Sequence, residues 1–263
     1  MNWMIIGCGY TGTVLARRLV AEGKRVTVTR RDLAEAQLVA EKVHAAEARA
    51  LDLATTQARA PSDSIVVCLA PPPTPQLAAF AEGAQHLVYV SSTGVYAPGH
   101  GALVDETFEL APVTRSGIAR LEAERQLPAT ATILRAAGIY GPGRGLAERL
   151  RAGTYRIIGD GSTHVSRIHV EDLALAIVTA GETRTRGVFN VADDDPAAIG
   201  PLADALADEL GVAHPPRVAP ESVDPEVAGM LAADRRIDNT KLKRELGVVL
   251  AHPSARAKQA RPT

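Results

Sequence analysis

"WMIIGCGYTGTVLARRLVAEG", residues 3 to 23, decides how the rest of the chain is read. An apolar run of strand length breaks at Gly7, then Gly9 and Gly12 complete a G-x-G-x-x-G pattern, and a helix-period segment closes on Gly23. The bare pattern is weak, because 22 glycines among 263 residues supply roughly 0.15 such matches by chance. Its context is strong. A glycine loop that leaves a strand and opens a helix provides a tight turn, a close backbone approach and tight helix packing. The amides from Cys8 to Gly12, with Tyr10 and Thr11 in the first turn, then face a pyrophosphate. An ordinary glycine-rich turn is the competing reading.

Outward from this unit, "RVTVTR", "IVVCLA", "HLVYVSS" and "ATILRAAGIY" are short β-branched apolar runs separated by helix-period segments. The alternation predicts βαβ units and a parallel sheet, hence an α/β fold with a Rossmann-type doubly wound sheet. Asp32 and Glu35 stand in capping-box spacing at the head of one helix, and Thr74 with Pro75 opens another that closes on Gly83. After residue 142 the rhythm changes to glycine-rich turns, a further amphipathic helix and a proline-bearing stretch. The expected organisation is a nucleotide-binding domain over 1–142 and 164–191, a small substrate lobe from 143–163 and 192–254, and a frayed basic tail over 255–263.

Composition narrows the partners. Apolar residues make up 46% of the chain and the net charge is −1, which argues against nucleic acid. Three Phe, one Trp and five Tyr leave few stacking platforms, so polar or aliphatic substrate contacts are expected. Cys8 and Cys68 sit inside apolar runs without ligand spacing, which predicts two reduced structural thiols and no metal. "MNWMIIG" has no basic n-region and no run nears the roughly 20 apolar residues of a membrane span, so a cytoplasmic protein without a membrane partner is expected.

Base specificity is read at the end of the second strand. A carboxylate there suits the ribose hydroxyls of NAD, but "VTVTRRD" ends in Arg30 and Arg31, which suit the 2′-phosphate of NADP. Solvated charge at a strand end is the alternative, and NAD stays open. Asp32, with Glu35 three residues on, reads as a helix cap.

Four later stretches carry a resemblance: "VSSTGVY" at 90 to 96, "LRAAGIYGPGR" at 134 to 144, "GDGSTHVSRIHVEDLA" at 159 to 174 and "GVFNVADD" at 187 to 194. Together with "RRIDNTKLKRELGV" they resemble the extended short-chain dehydrogenase/reductases, the NAD(P)-dependent epimerase/dehydratase superfamily. The resemblance implies a Rossmann domain with a late seventh strand, an NAD(P) cofactor, a small-molecule substrate and often a homodimer through helices around 75 to 85 and 113 to 127. By position it places Asp52 and Leu53 near adenine, Ala70 and Pro71 on the ribose and phosphate path, and Ser92 against the reacting oxygen.

In the family the next helix carries Tyr-x-x-x-Lys, two side chains on one face, with the ammonium holding the ribose and lowering a phenol pKa of about 10. Here "ARLEAE" aligns so that Ser116 takes the Tyr position and Arg120 the Lys position. A serine hydroxyl without an adjacent base is a poor acid or base. Arg120 either contacts cofactor or caps a solvated face. A divergent, atypical branch of the family shares this departure, keeping the cofactor fold while losing the Tyr.

Other groups compete for the chemistry. Tyr96 and Tyr140 stand near the expected nicotinamide end, as substitute donors or as loop anchors. His169 is expected to start a helix and brace loops, and His164 to face the substrate lobe. Arg135, Arg144 and Arg167 offer forks for an anionic substrate, unless Arg135 and Arg167 pair with Asp172 or Glu171. The run Asp193 to Asp195 reads as a loop and helix cap before Pro196. Two functions are therefore expected: an NADP-dependent oxidoreductase or epimerase-type enzyme of divergent mechanism, or a catalytically silent NADP(H)-binding sensor.

Overall fold

A computed structural model describes residues 1–255; of the frayed end expected over 255–263 only Ala255 is among them, and it is buried, while the rest lies outside the described residues. Seven strands, β1 (Asn2–Ile6), β2 (Arg25–Arg30), β3 (Glu47–Ala50), β4 (Ser64–Cys68), β5 (His86–Ser92), β6 (Thr132–Ala136) and β7 (Gly187–Val191), form one parallel sheet. Their order is β7-β6-β5-β4-β1-β2-β3. Among the described residues the helices are α1 (Tyr10–Ala21), α2 (Leu33–Val43), α3 (Leu77–Ala81), α4 (Arg115–Arg125), α5 (Leu146–Arg151), α6 (Val170–Thr183), α7 (Ile199–Leu210), α8 (Pro225–Leu231) and α9 (Thr240–Leu246).

Both faces of the sheet are covered, which is why its strands read as nearly unbroken apolar runs. Trp3, Ile5, Val28, Val67, Leu134 and Phe189 turn to one face, where Leu15 of α1, Ile177 of α6 and Leu242 of α9 meet them. Met4, Ile6, Val66, Cys68 and Tyr89 turn to the other, against Phe80 of α3 and Ala123 of α4. This is the period-2 alternation of a strand. A separate apolar cluster joins Leu150 of α5, Tyr155, Ile157 and Leu202 and Leu206 of α7. No helix among the described residues is long and apolar enough to cross a membrane.

Local punctuation mostly matches its chemistry. Asp32 accepts the Glu35 backbone N–H at 2.9 Å and caps α2. Two expectations need correction. The third helix is short and begins on Gln76, because Pro75 and Gln76 form a turn ahead of it in which the Thr74 carbonyl, not its side chain, accepts the Leu77 N–H at 3.1 Å. Asp193 to Asp195 do not cap a helix: a short strand, Ala197–Ala198, intervenes, and α7 starts on Ala198 without a side-chain cap. The Asp193 carboxylate instead accepts the Asp195 N–H at 3.3 Å.

Candidate functional site

The strand order reverses between β1 and β4, and in open α/β sheets ligands bind at the C-terminal ends of strands at such a point. Here the loop after β1 presses directly on the loop after β4. Gly7 has φ +78°, and a Cβ there would sit 2.8 Å from the Ala70 Cα, so only glycine fits. A Cβ on Gly12 would meet the Cys8 Sγ at 3.1 Å and the Leu69 Cδ1 at 3.2 Å, inside the packed interior. Over Gly9 there is room: a Cβ would meet only the Arg30 Nη1 at 3.7 Å and the Gly7 carbonyl at 3.9 Å. The three glycines thus divide the work of turn, open approach and packing.

Helix α1 begins on Gly9 with no side-chain cap and no acidic residue in its first turn. The amides of Tyr10, Thr11 and Gly12 therefore meet no capping side chain, and the helix dipole is left uncompensated by charge. Cys8 donates its N–H to the Thr29 carbonyl at 3.0 Å, and burial pushes its thiol up to about 11. The Tyr10 hydroxyl donates to the Pro142 carbonyl at 3.1 Å, with the Arg144 guanidinium over its ring at 5.3 Å. Arg30 is half-buried above Gly9 and its Nε lies 3.4 Å from a Glu35 oxygen, whereas Arg31 is exposed. Asp52 is exposed and accepts the Ala54 N–H at 2.9 Å, while Leu53 turns into the core. Ala70 is half-buried and Pro71 exposed along the wall after β4.

At the other end of the crevice Ser92 pairs in register with Ala136 on β6, and Ala136 with Val191 on β7. The Ser92 Oγ accepts the Gly94 N–H at 3.0 Å and caps a single 3-10 turn, Thr93–Val95. Helix α4 packs backbone to backbone on that turn, since a Cβ on Gly117 would lie 2.4 Å from the Gly94 carbonyl oxygen. Arg120 does not cap a solvated face. Its Nη1 donates to the Val90 carbonyl at 2.9 Å, the Tyr89 hydroxyl at 3.2 Å and the Ala70 carbonyl at 3.4 Å, tying β5 to the loop after β4.

Ser116 is exposed, and it does have an adjacent carboxylate. Its hydroxyl donates to Glu226 of α8, whose two oxygens also take the Ser116 and Arg115 backbone N–H groups at 2.9 and 2.8 Å. These bonds hold the Glu226 carboxyl below its usual range, the Ser116 hydroxyl contributing most. Arg235 was equally hidden: it donates to the carbonyls of Thr93 at 3.0 Å, Tyr96 at 2.5 Å and Ala97 at 2.8 Å, clamping the turn after Ser92. Nothing local in "VDPEVAGM" or "ADRRID" announces either role, because both depend on a chain return of more than a hundred residues.

Tyr96 lies fully buried as a loop anchor, its hydroxyl donating to the Asn190 Oδ1 at 2.7 Å and accepting from the Arg135 Nη1 at 3.0 Å. Burial raises its phenol pKa. Arg135 pairs with neither Asp172 nor Glu171; it forms a buried ion pair with Glu124 at 2.7 Å. Asp172 accepts the backbone N–H groups of Ala251 and His252 at 2.9 and 2.8 Å. His169 caps α6, its Nδ1 accepting the Glu171 N–H at 3.3 Å. Donor atoms of His169, Glu171 and His252 lie within 4.8 Å of one another, with the His252 Nε2 at 2.8 Å from Glu171. Those donor types can hold a divalent cation, and the same groups also bond one another. His164 meets Asp234 at 2.9 Å through Nδ1. Tyr140 is buried edge-on to His169 at 5.2 Å, and its hydroxyl has no partner among the described residues.

Comparison with known proteins agrees with this architecture. The family model described as the NAD dependent epimerase/dehydratase family matches residues 74–192, and one described as shikimate / quinate 5-dehydrogenase matches residues 1–79, the N-terminal segment that holds the glycine loop. A Streptomyces sp protein named 3-diazoavenalumate denitrifying reductase is 33% identical over 201 residues, which cover 68% of this chain and 65% of the relative, just under two thirds of its length. A functionally unknown conserved protein from Silicibacter pomeroyi DSS is 30% identical, with 98% of this chain and 96% of that one covered and a TM-score of 0.85. The structure of the human epimerase family protein SDR39U1 (isoform2) with NADPH is 20% identical, covers 99% of this chain and 98% of that one, and shares the fold with a TM-score of 0.78. The chain belongs to the NAD-dependent epimerase/dehydratase family of extended short-chain dehydrogenase/reductases.

Proposed function

We propose that the protein is an NADP(H)-dependent reductase acting on a small molecule. The observation that carries this reading is the open cradle over Gly9, with uncapped α1 amides beneath it and the Arg30 guanidinium at its rim. The residues present fit the cofactor: the amides take the pyrophosphate, Arg30 the 2′-phosphate, and Arg120, anchored through Nη1, has its remaining donors for the ribose. Bound there, the cofactor supplies a hydride. Ser92 accepts the Gly94 N–H, so its own proton is available to a substrate oxygen. The Streptomyces relative, named a reductase, and the human protein determined with NADPH support the cofactor and the reaction type.

A second reading, a cofactor-binding sensor, draws support from Ser116, whose hydroxyl is committed to Glu226 where the family's Tyr would stand. Fluorescence titration with NADPH and NADH tests both. Binding to neither would sink both readings. If NADPH binds, a carbonyl-substrate screen with Ser92→Ala as control separates them: turnover that falls with Ser92→Ala supports the reductase, and binding without turnover supports the sensor.

A further inference from the structure

Three enclosed polar atoms lack a hydrogen-bond partner among the described residues at one end of the sheet: the Tyr140 hydroxyl, the Arg167 Nη1 and the Asp193 Oδ2. Buried polar groups in folded proteins are almost always satisfied, by protein, ordered water or a ligand, and of the seven unpartnered atoms among the described residues these three belong to side chains that interact with one another.

The topology brings them together. The strand Gly138–Tyr140 pairs in parallel with Arg167–His169, with Gly138 opposite Arg167 and Tyr140 opposite His169. Residues two apart share a face, so Tyr140 and Arg167 project to one side while Ile168 enters the main core on the other. Asp193 lies alongside, donating its N–H to the Arg167 carbonyl at 2.6 Å. Electrostatically, Tyr140 and Arg167 each feel the other two groups.

This is also the reacting end of the sheet. Ser92, Ala136 and Val191 stand abreast on three neighbouring strands, and Gly138 and Asp193 lie two residues beyond the last two. Gly138 is exposed, and a Cβ there would meet the Ser166 carbonyl oxygen at 3.4 Å and the Arg167 Cγ at 3.9 Å, so the stem of the arginine lies against an exposed stretch of backbone. Strand spacing and rise put Ser92 on the order of 10 Å from this cluster. Of the three arginines with anion-binding forks, Arg135 is spent on Glu124 and Arg144 lies over Tyr10, whereas Arg167 keeps an unused donor.

We propose that Tyr140, Arg167 and Asp193 form a subsite that binds a carboxylate carried by the substrate. It rests on the functional reading above only in calling the ligand a substrate. A carboxylate accepts from the guanidinium and from the phenol, and planar anions suit a guanidinium. Burial pushes Asp193 up to about 7, so near neutral pH a protonated Asp193 donates a third bond, and an ionised one repels the ligand. Asp193 faces Arg167 and Tyr140 from the paired strands and Asp194 and Asp195 from its own loop, while Asp172 of α6 acts on Tyr140.

Benzoate is the probe, with benzamide as the uncharged control, titrated by ligand-observed NMR with and without NADP+. Benzoate is expected to bind saturably and benzamide not, with Arg167→Gln weakening benzoate by roughly tenfold or more and Tyr140→Phe by several-fold. Tyr140→Phe should match or exceed the parent Tm, since it removes only an enclosed hydroxyl that has no partner among the described residues. Affinity should fall between about pH 6 and about pH 8, and Asp193→Asn should flatten that profile. Ordered water alone at the three atoms produces none of these responses. No saturable benzoate binding, equal affinity in Arg167→Gln, a lower Tm in Tyr140→Phe, or a pH profile that survives Asp193→Asn overturns the proposal. NADPH titration of the same samples is read separately: failure there defeats the functional reading while leaving the subsite to the benzoate result.

Discussion

The Glu226 carboxylate caps the first turn of α4 from 110 residues away, joining the Ser116 hydroxyl and backbone N–H to a helix of a distant segment. Its pKa is lowered in the fold, so its contribution to stability is whole above the ordinary value of 4.5 and is lost as pH falls through the lowered one. Glu226→Gln should therefore lower Tm at pH 7, and the gap to the parent should close in acid, as pH falls through the lowered value. Thermal unfolding at the two pH values checks this; a gap that persists in acid would mean that charge is not what α8 contributes to the cap.

Gly117 lets α4 approach the Ser92 turn. Alanine is the better helix former by about 1 kcal/mol, yet its Cβ would meet the Gly94 oxygen at 2.4 Å and the Pro112 Cβ at 2.9 Å. Overpacking against backbone is expected to win, and Gly117→Ala should destabilise by about 1–3 kcal/mol in denaturant unfolding. A stabilised variant would show that α4 moves away from the turn without cost.

Arg30 should discriminate between the two cofactors. Loss of charge-assisted bonds to a 2′-phosphate in Arg30→Ala is expected to weaken NADPH by roughly tenfold to a hundredfold and to leave NADH nearly unchanged. Parallel fluorescence titrations measure the ratio. Equal losses for both would remove Arg30 from base selection.

The ion pair between Glu124 and Arg135 is buried on both sides. Glu124→Gln leaves the guanidinium without its counter-charge and should cost about 3–5 kcal/mol of stability. Replacing both residues, Glu124→Leu with Arg135→Met, should recover most of that loss, because desolvation of the pair is relieved together with the attraction. Denaturant unfolding of the single and double variants decides it; additive losses would contradict the account.

Much of the architecture is legible in the sequence. The βαβ rhythm, the glycine loop and the Asp32 cap follow from residue periods and from contacts within a few positions, and the structure places each as read. The errors share one cause. Thr74 and the aspartates at 193 to 195 carry good capping chemistry, but the turn through Pro75 and Gln76 and the strand Ala197–Ala198 put the helix starts downstream. Arg135 was expected to meet Asp172 or Glu171, and packing gave it Glu124, eleven residues away.

The chain by itself thus determined an α/β protein with a dinucleotide-type cradle, because alternating burial and the steric demands of Gly7 and Gly12 are local. Only the tertiary structure decided that Ser116 meets Glu226, that Arg235 clamps the Ser92 turn, and that Tyr140, Arg167 and Asp193 share an enclosed corner. Those pairings join segments far apart in the chain, and which of many compatible acids, amides or hydroxyls a side chain meets is set by how the elements pack.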